Sequence, residues 1–123
     1  MSDPFFEMTE ARRKALEPLI VPAIKATEAD VAALAKGKKV WGGHHGAIGI
    51  HPKHLYVYFV LPKRRDVADL KRLADWPKIQ VVLKLRMSAA GYPVDALQGD
   101  WLGLYSEEEC QDQAHGNWYA FFK

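Results

Sequence analysis

The chain has 123 residues, 49% of them hydrophobic and 26% charged, with a net charge of +2 at pH 7. That length suits one domain, the apolar share is enough for a core, and the composition excludes a disordered chain. A single cysteine, Cys110, excludes an internal disulfide framework.

The first residues, MSDPFFEMTE, lack the positive charge and apolar run of a signal peptide. The apolar stretch from Leu16 to Ile24 is too short for a membrane span and contains Pro18 and Pro22. These features lead to the expectation of a cytoplasmic chain with no membrane segment. Charge is unevenly spread along it. Positions 36–86 hold 12 Lys or Arg against 3 Asp, whereas 87–122 hold 6 acids and no Lys or Arg. A basic half attracts phosphate or an acidic partner; alternatively the two halves face each other in the fold and neutralise.

Taken in chain order, Asp3 caps a helix with Pro4 at its first position, where the absent N–H costs nothing. Phe5, Met8, Ala11, Ala15 and Leu19 follow at helical spacing. Pro18 and Pro22 are expected to break or kink that helix. Thr27 restarts one, with Val31, Leu34 and Ala35 as its stripe and Gly37 as its end, so residues 1–36 form a helical arm. Residues 38–54 comprise a short strand, Lys38 to Trp41, and a Gly- and His-rich loop.

Leu55 to Leu61 (LYVYFVL) is the clearest strand, apolar on both faces and therefore central in its sheet. Asp66 caps a helix with Val67, Leu70 and Leu73 inward, ending near Trp76 and Pro77. Ile79 to Met87 alternates strictly, which predicts a second strand with Ile79, Val81, Leu83 and Leu85 in the core and Lys84 and Arg86 on the other face. Asp100 to Tyr105 is a third strand. Ser106 and Glu109 form a capping box that starts a short helix ending near His115 and Gly116. Asn117 to Phe122 is a fourth strand.

From Leu55 the order is strand, helix, strand, strand, helix, strand. It predicts a single α+β domain over residues 1–123, whose antiparallel sheet has a split βαββαβ (ferredoxin-like) core behind the helical arm. The arm's Phe5, Phe6, Leu19 and Ile20 are expected to cover the sheet face that the crossover helices leave open.

That face carries the candidate binding residues. Tyr56 and Tyr58 are placed beside Lys84 and Arg86, with Trp101 and Tyr105, or else Leu102 and Leu104, from the third strand. Aromatics next to cations suit single-stranded nucleic acid, each stacked base contributing about 1–3 kcal/mol. LYVYFVL is loosely similar to the first-strand motif of RNA-recognition motifs, and Gly99 and Tyr105 fit the third-strand motif of that family. Asp100 and Leu102 stand where the family places its stacking aromatics, so the chain is not assigned to it.

His44, His45, His51 and His54 lie within WGGHHGAIGIHPKH and offer imidazoles suited to zinc. Their spacing, H-H-x5-H-x2-H, matches no metal motif, and no cysteine lies nearby, so neither a metal nor a cofactor is expected. Cys110 directly follows Glu107, Glu108 and Glu109, which oppose thiolate formation. Three successive helical carboxylates diverge and make a poor acid–base pair, and Ser106 is occupied as a cap. Without a catalytic constellation, the expected function is a non-enzymatic binding or regulatory module of inhibitor or immunity type, acting through a protein partner. A single-stranded RNA- or DNA-binding domain and a small metal-dependent enzyme using the His loop are the alternatives. Nothing in the sequence fixes an oligomeric state.

Overall fold

The computed structural model describes residues 3–72 and 76–123. In chain order the elements are α1 (Pro4–Leu34), β1 (Trp41–His45), β2 (Tyr56–Leu61), α2 (Arg64–Arg72), α3 (Trp76–Ala90), β3 (Leu102–Ser106), α4 (Glu107–Ala114) and α5 (Trp118–Phe121). The α+β class holds. Among the described residues the split βαββαβ core is not found: the sheet has three strands, in the order β1-β2-β3, where that core has four. β1 pairs antiparallel with β2, and β2 pairs parallel with β3. Two of the expected strands, Ile79 to Met87 and Asn117 to Phe122, are helical instead, and the expected first strand starts later and runs into the Gly–His segment.

α1 begins as expected, with the Asp3 carboxylate accepting from the Phe5 N–H and Pro4 in the first position. It then runs through both internal prolines. Pro18 and Pro22 sit one turn apart and both are exposed. The carbonyls they deprive of partners belong to Lys14 and Pro18, also exposed residues, so water replaces the lost bonds. The opposite side of α1 carries a continuous buried stripe of Ile20, Ala23, Ile24, Thr27 and Val31. Packing on that stripe holds the helix together where local propensity favours a break.

The segment from Trp76 shows how one pattern serves two periods. Ile79, Leu83 and Met87 are buried at intervals of four residues. Val81 and Leu85, which the strand reading places beside them, are 58% and 65% exposed. Pro77, read from sequence as ending a helix, lies in the first turn of α3, where proline is tolerated. Leu73, expected on the inner stripe of the preceding helix, lies outside the described residues. In α2 itself Val67 and Leu70 are buried, and Asp66 lies in the first turn and not at the cap position, its carboxylate accepting from the Lys63 N–H.

The core lies on one face of the sheet. Val57, Phe59 and Leu61 of β2 are fully buried there, in one cluster with residues of α1, α2 and α3 and with Trp101 and Leu104. α1 runs against β1: Ile24 packs on Gly42 beside Phe59, Glu28 accepts from the Gly42 N–H, and Glu17 stands 3.8 Å from His44. α1 and α3 are joined at Arg86, which donates to Thr27 Oγ1 and pairs with Asp30. Arg12 donates to the carbonyls of Gly49 and Ile50 and fastens the loop after β1 to the helix.

The basic and acidic halves do face each other in part. At the start of α2, Arg64 pairs with Asp112 at 2.6 Å and Lys63 with Glu108 at 3.9 Å, both acids belonging to α4. Among the described residues no helix is long and apolar enough to cross a membrane.

The helical period of α3 has a direct test. Leu83→Ala should cost roughly 2–5 kcal/mol in denaturant unfolding, as a large side chain removed from a closed core. Val81→Ser and Leu85→Ser should each stay within about 0.5 kcal/mol of the parent. A strand with all three in the core would lose stability at every position.

Candidate functional site

The second face of the sheet is built from alternate residues. β1 contributes Trp41, Gly43 and His45, β2 contributes Tyr56, Tyr58 and Val60, and β3 contributes Gly103 and Tyr105. In one cross-strand row, Tyr58 stands between Gly43 and Gly103. Each tyrosine of β2 leans over the glycine of a neighbouring strand. A Cβ on Gly103 would lie 2.0 Å from Tyr56 Oη, and one on Gly43 would lie 2.6 Å from Tyr58 Oη. The glycines are therefore the floor on which the two rings rest. Beyond Gly103 the Tyr56 and Tyr105 hydroxyls are hydrogen-bonded to each other.

A C-terminal segment half covers this face. The Ser106–Glu109 capping box forms as expected and starts α4. α4 ends at His115 and Gly116, both left-handed (φ 52° and 82°), and these turn the chain back over the sheet. Asn117 caps α5 by accepting from the Ala120 N–H, and the spacing of Trp118, Phe121 and Phe122 points their rings one way. Phe122 sits centrally, 4.6 Å from Tyr58, 5.0 Å from His45 and 5.1 Å from Tyr105 between ring centroids. Trp118 meets Trp41 edge-on at 5.2 Å and stacks near Tyr58 at 6.3 Å. Trp41 is itself held by its indole N–H donating to Glu107. Such contacts are favourable offset and edge-to-face geometries.

The arm does not cover this face. Phe5 and Phe6 are 57% and 60% exposed, while Ile20 is buried on the opposite side, among the helices. The cover comes from the other end of the chain. An open cleft of about 400 Å3 remains, lined by His45, Tyr58, Trp118, Tyr119, Phe122 and Lys123. Tyr119 is 74% exposed, and the Lys123 ammonium lies 4.8 Å from its ring centroid.

The residues expected to act together are dispersed. Tyr56 and Tyr58 are on this face. Lys84 and Arg86 are on α3, which packs across the opposite face, and Arg86 is engaged by Asp30. Trp101 is buried in the core. His44 and His45 point to opposite faces of β1, whereas His51 and His54 share a short 3-10 turn, their rings 6.4 Å apart. Among the described residues no three His, Cys, Asp or Glu side chains converge in a way that would hold a metal. Cys110 is buried, and burial with Glu107 nearby raises its thiol pKa, the reverse of what a nucleophile needs.

The tyrosines and the histidine of the aromatic face favour their neutral forms. Burial raises the Tyr56 phenol well above its ordinary range, with its bond to Tyr105 adding to the effect, and burial raises Tyr58 as well. Partial burial lowers His45. At neutral pH the rings and hydroxyls of the face are therefore uncharged, and the Lys123 ammonium is the charge that lines the cleft beside them.

Tyr105 lies on this face as one of the two third-strand alternatives has it, whereas sequence reasoning missed Trp41, Trp118, Phe121 and Phe122. The signal for the last three is the i, i+3, i+4 spacing behind an Asn cap, which is indistinguishable by composition from an aromatic strand. Comparisons with protein-family models, curated protein sequences and solved structures find no match to this chain.

Two measurements probe this geometry. Gly103→Ala forces Tyr56 and Tyr105 aside and should cost about 1–3 kcal/mol in denaturant unfolding, more than an alanine at an open glycine such as Gly91 with its left-handed penalty alone. Burial lowers His44 below its ordinary value despite Glu17, so the folded state binds fewer protons than the unfolded chain. Its stability contribution is complete above about pH 6.5 and is lost as pH falls through the folded-state value. The denaturation midpoint should fall between pH 7.5 and 5.5, and His44→Gln should flatten that slope.

Proposed function

We propose that this chain is a small non-enzymatic binding module that engages a protein partner through the aromatic sheet face. The observation that carries the reading is the row Gly43–Tyr58–Gly103, in which a central tyrosine stands between two strand glycines, rests over Gly43 and meets the rings of Trp41, His45 and Tyr105. Tyr and Trp dominate protein-interface hot spots because they bring large contact area with few torsions to freeze. The cleft beside this row is lined by the rings of His45, Tyr58, Trp118, Tyr119 and Phe122 with Lys123 at its edge, a lining suited to holding the side chains of a partner.

A protein partner fits better than nucleic acid. A single-stranded platform needs cations tracking the phosphates beside the stacked bases. Lys84 and Arg86 are on α3, across the sheet, and part of the basic half is taken up by Glu108 and Asp112. A cytoplasmic setting is part of this proposal, and a chain with a single, buried cysteine needs no oxidising compartment to fold.

Panning a displayed-peptide library against the full chain tests the proposal. Enriched peptides should carry aromatic or large aliphatic anchors, and Tyr58→Ala should weaken them at least tenfold, about 1.4 kcal/mol. Lys84→Ala should leave them unchanged. The proposal fails if no peptide depends on Tyr58, or if single-stranded oligouridine binds at micromolar concentration in physiological salt with a steep salt dependence that Lys84→Ala relieves.

A further inference from the structure

The segment over the aromatic face is held in an unusual way. Among the described residues, the backbone hydrogen bonds from Trp118 to Lys123 stay within the segment or reach Asn117: Phe121 N–H to Asn117 O, Phe122 N–H to Trp118 O and Lys123 N–H to Ala120 O. None of them joins the sheet. The hold consists of ring contacts made by Trp118, Phe121 and Phe122, which are themselves only partly buried. α5 is a single turn of four residues, too short to be stable without its docking. Its joint to α4 is two left-handed residues, His115 and Gly116, and the first is a non-glycine that stores backbone strain there.

We propose that residues 117–123 are a displaceable strap, occupying the face with the ring chemistry that a partner segment would bring. The inference rests on the binding role proposed above and names the partner's chemistry: a short segment with aromatic residues spaced i, i+3 and i+4, as in Trp118, Phe121 and Phe122. The strap is the occupant that the structure shows fitting Tyr56, Tyr58 and Tyr105, and it fits without backbone bonds. A competing segment therefore needs rings in that spacing and no strand edge. Because the strap is tethered through a short joint, its effective concentration at the face is of the order of millimolar. It screens out weak apolar contacts and yields to a segment that binds the tyrosines better.

The test uses the strap's own sequence as the probe. A fluorescein-labelled peptide of residues 117–123 is titrated with the full-length chain and with its Trp118→Ala/Phe122→Ala variant, and anisotropy is read. The variant should bind the peptide at least tenfold more tightly than the parent, because its own strap no longer competes, and adding Tyr58→Ala should remove the gain. No binding to a folded variant, or equal binding to both chains, overturns the strap. Amide hydrogen exchange on the unmodified chain gives an independent reading. Phe121 and Phe122 should exchange at least 100-fold faster than Val57 and Phe59, by local opening; equal protection, exchanging only with global unfolding, also overturns it. The two proposals fail differently. If library peptides need Tyr58 but bind less well to the Trp118→Ala/Phe122→Ala variant, the face is a binding site of which the segment is a fixed part, and the strap alone is wrong.

Discussion

The structure turns on β2, a strand with large side chains on both faces and a neighbour on both edges. Val57, Phe59 and Leu61 point one way and are fully buried; Tyr56 and Tyr58 point the other and are half-covered. Pairing with β3 is parallel, and a parallel pair requires a long crossover. α2 and α3 are that crossover, and their inner residues share one core with α1. All three long helical elements are thereby committed to one side. What is left for the other side is the chain after β3, and it arrives as α4 and the short ring-bearing α5.

Charge reinforces this arrangement without creating it. Lys63 and Arg64 at the start of α2 meet Glu108 and Asp112 of α4, which joins the crossover to the element that positions the C-terminal segment. These pairs are largely exposed, and pairs of that kind contribute about 0–1 kcal/mol each. Their effect is orientation. Glu107 has a second partner, the Trp41 indole N–H, so the start of α4 is tied both to α2 by its neighbours and to β1 by a hydrogen bond. The separation of charge along the sequence is resolved locally where basic turn and acidic helix start adjoin.

The sequence discloses features whose physics is local. The Asp3 cap, the Ser106–Glu109 capping box, the left-handed end of α4 and the central place of LYVYFVL each depend on a few neighbouring residues, and all are present. Features decided by packing are not disclosed. Ile79, Leu83 and Met87 satisfy a period of two and a period of four equally, and only the exposure of Val81 and Leu85 separates them. Pro18 and Pro22 signal a break unless the side they occupy is known to face water. Of the candidate site, Tyr56 and Tyr58 were legible as strand aromatics, whereas His45 read only as an imidazole of a Gly- and His-rich loop and is in fact on β1. Their cover was not legible, because β-rich composition in NWYAFF conceals a capped helical turn, and because the choice between two chain ends as the cover is a question of topology.

The glycines explain why that cover is made of rings. On an ordinary sheet, side chains from three adjacent strands stand side by side and present a ridged surface. Here Gly43 and Gly103 remove the neighbours of Tyr58, so the tyrosines lie down toward the flanking strands and present broad ring surface. Aromatic rings resting over strand glycines compensate for the lost side-chain packing. A flattened aromatic surface is met best by other rings, edge-on or offset, and these are the geometries Trp118 and Phe122 adopt. The hydroxyl pair of Tyr56 and Tyr105 keeps the polar atoms of the floor satisfied without demanding a partner from above. The Tyr56–Tyr105 pair is thus bonded within the face while the rings above it are only partly buried, which is the condition under which a segment with no backbone bonds to the sheet can both hold the face and be replaced on it.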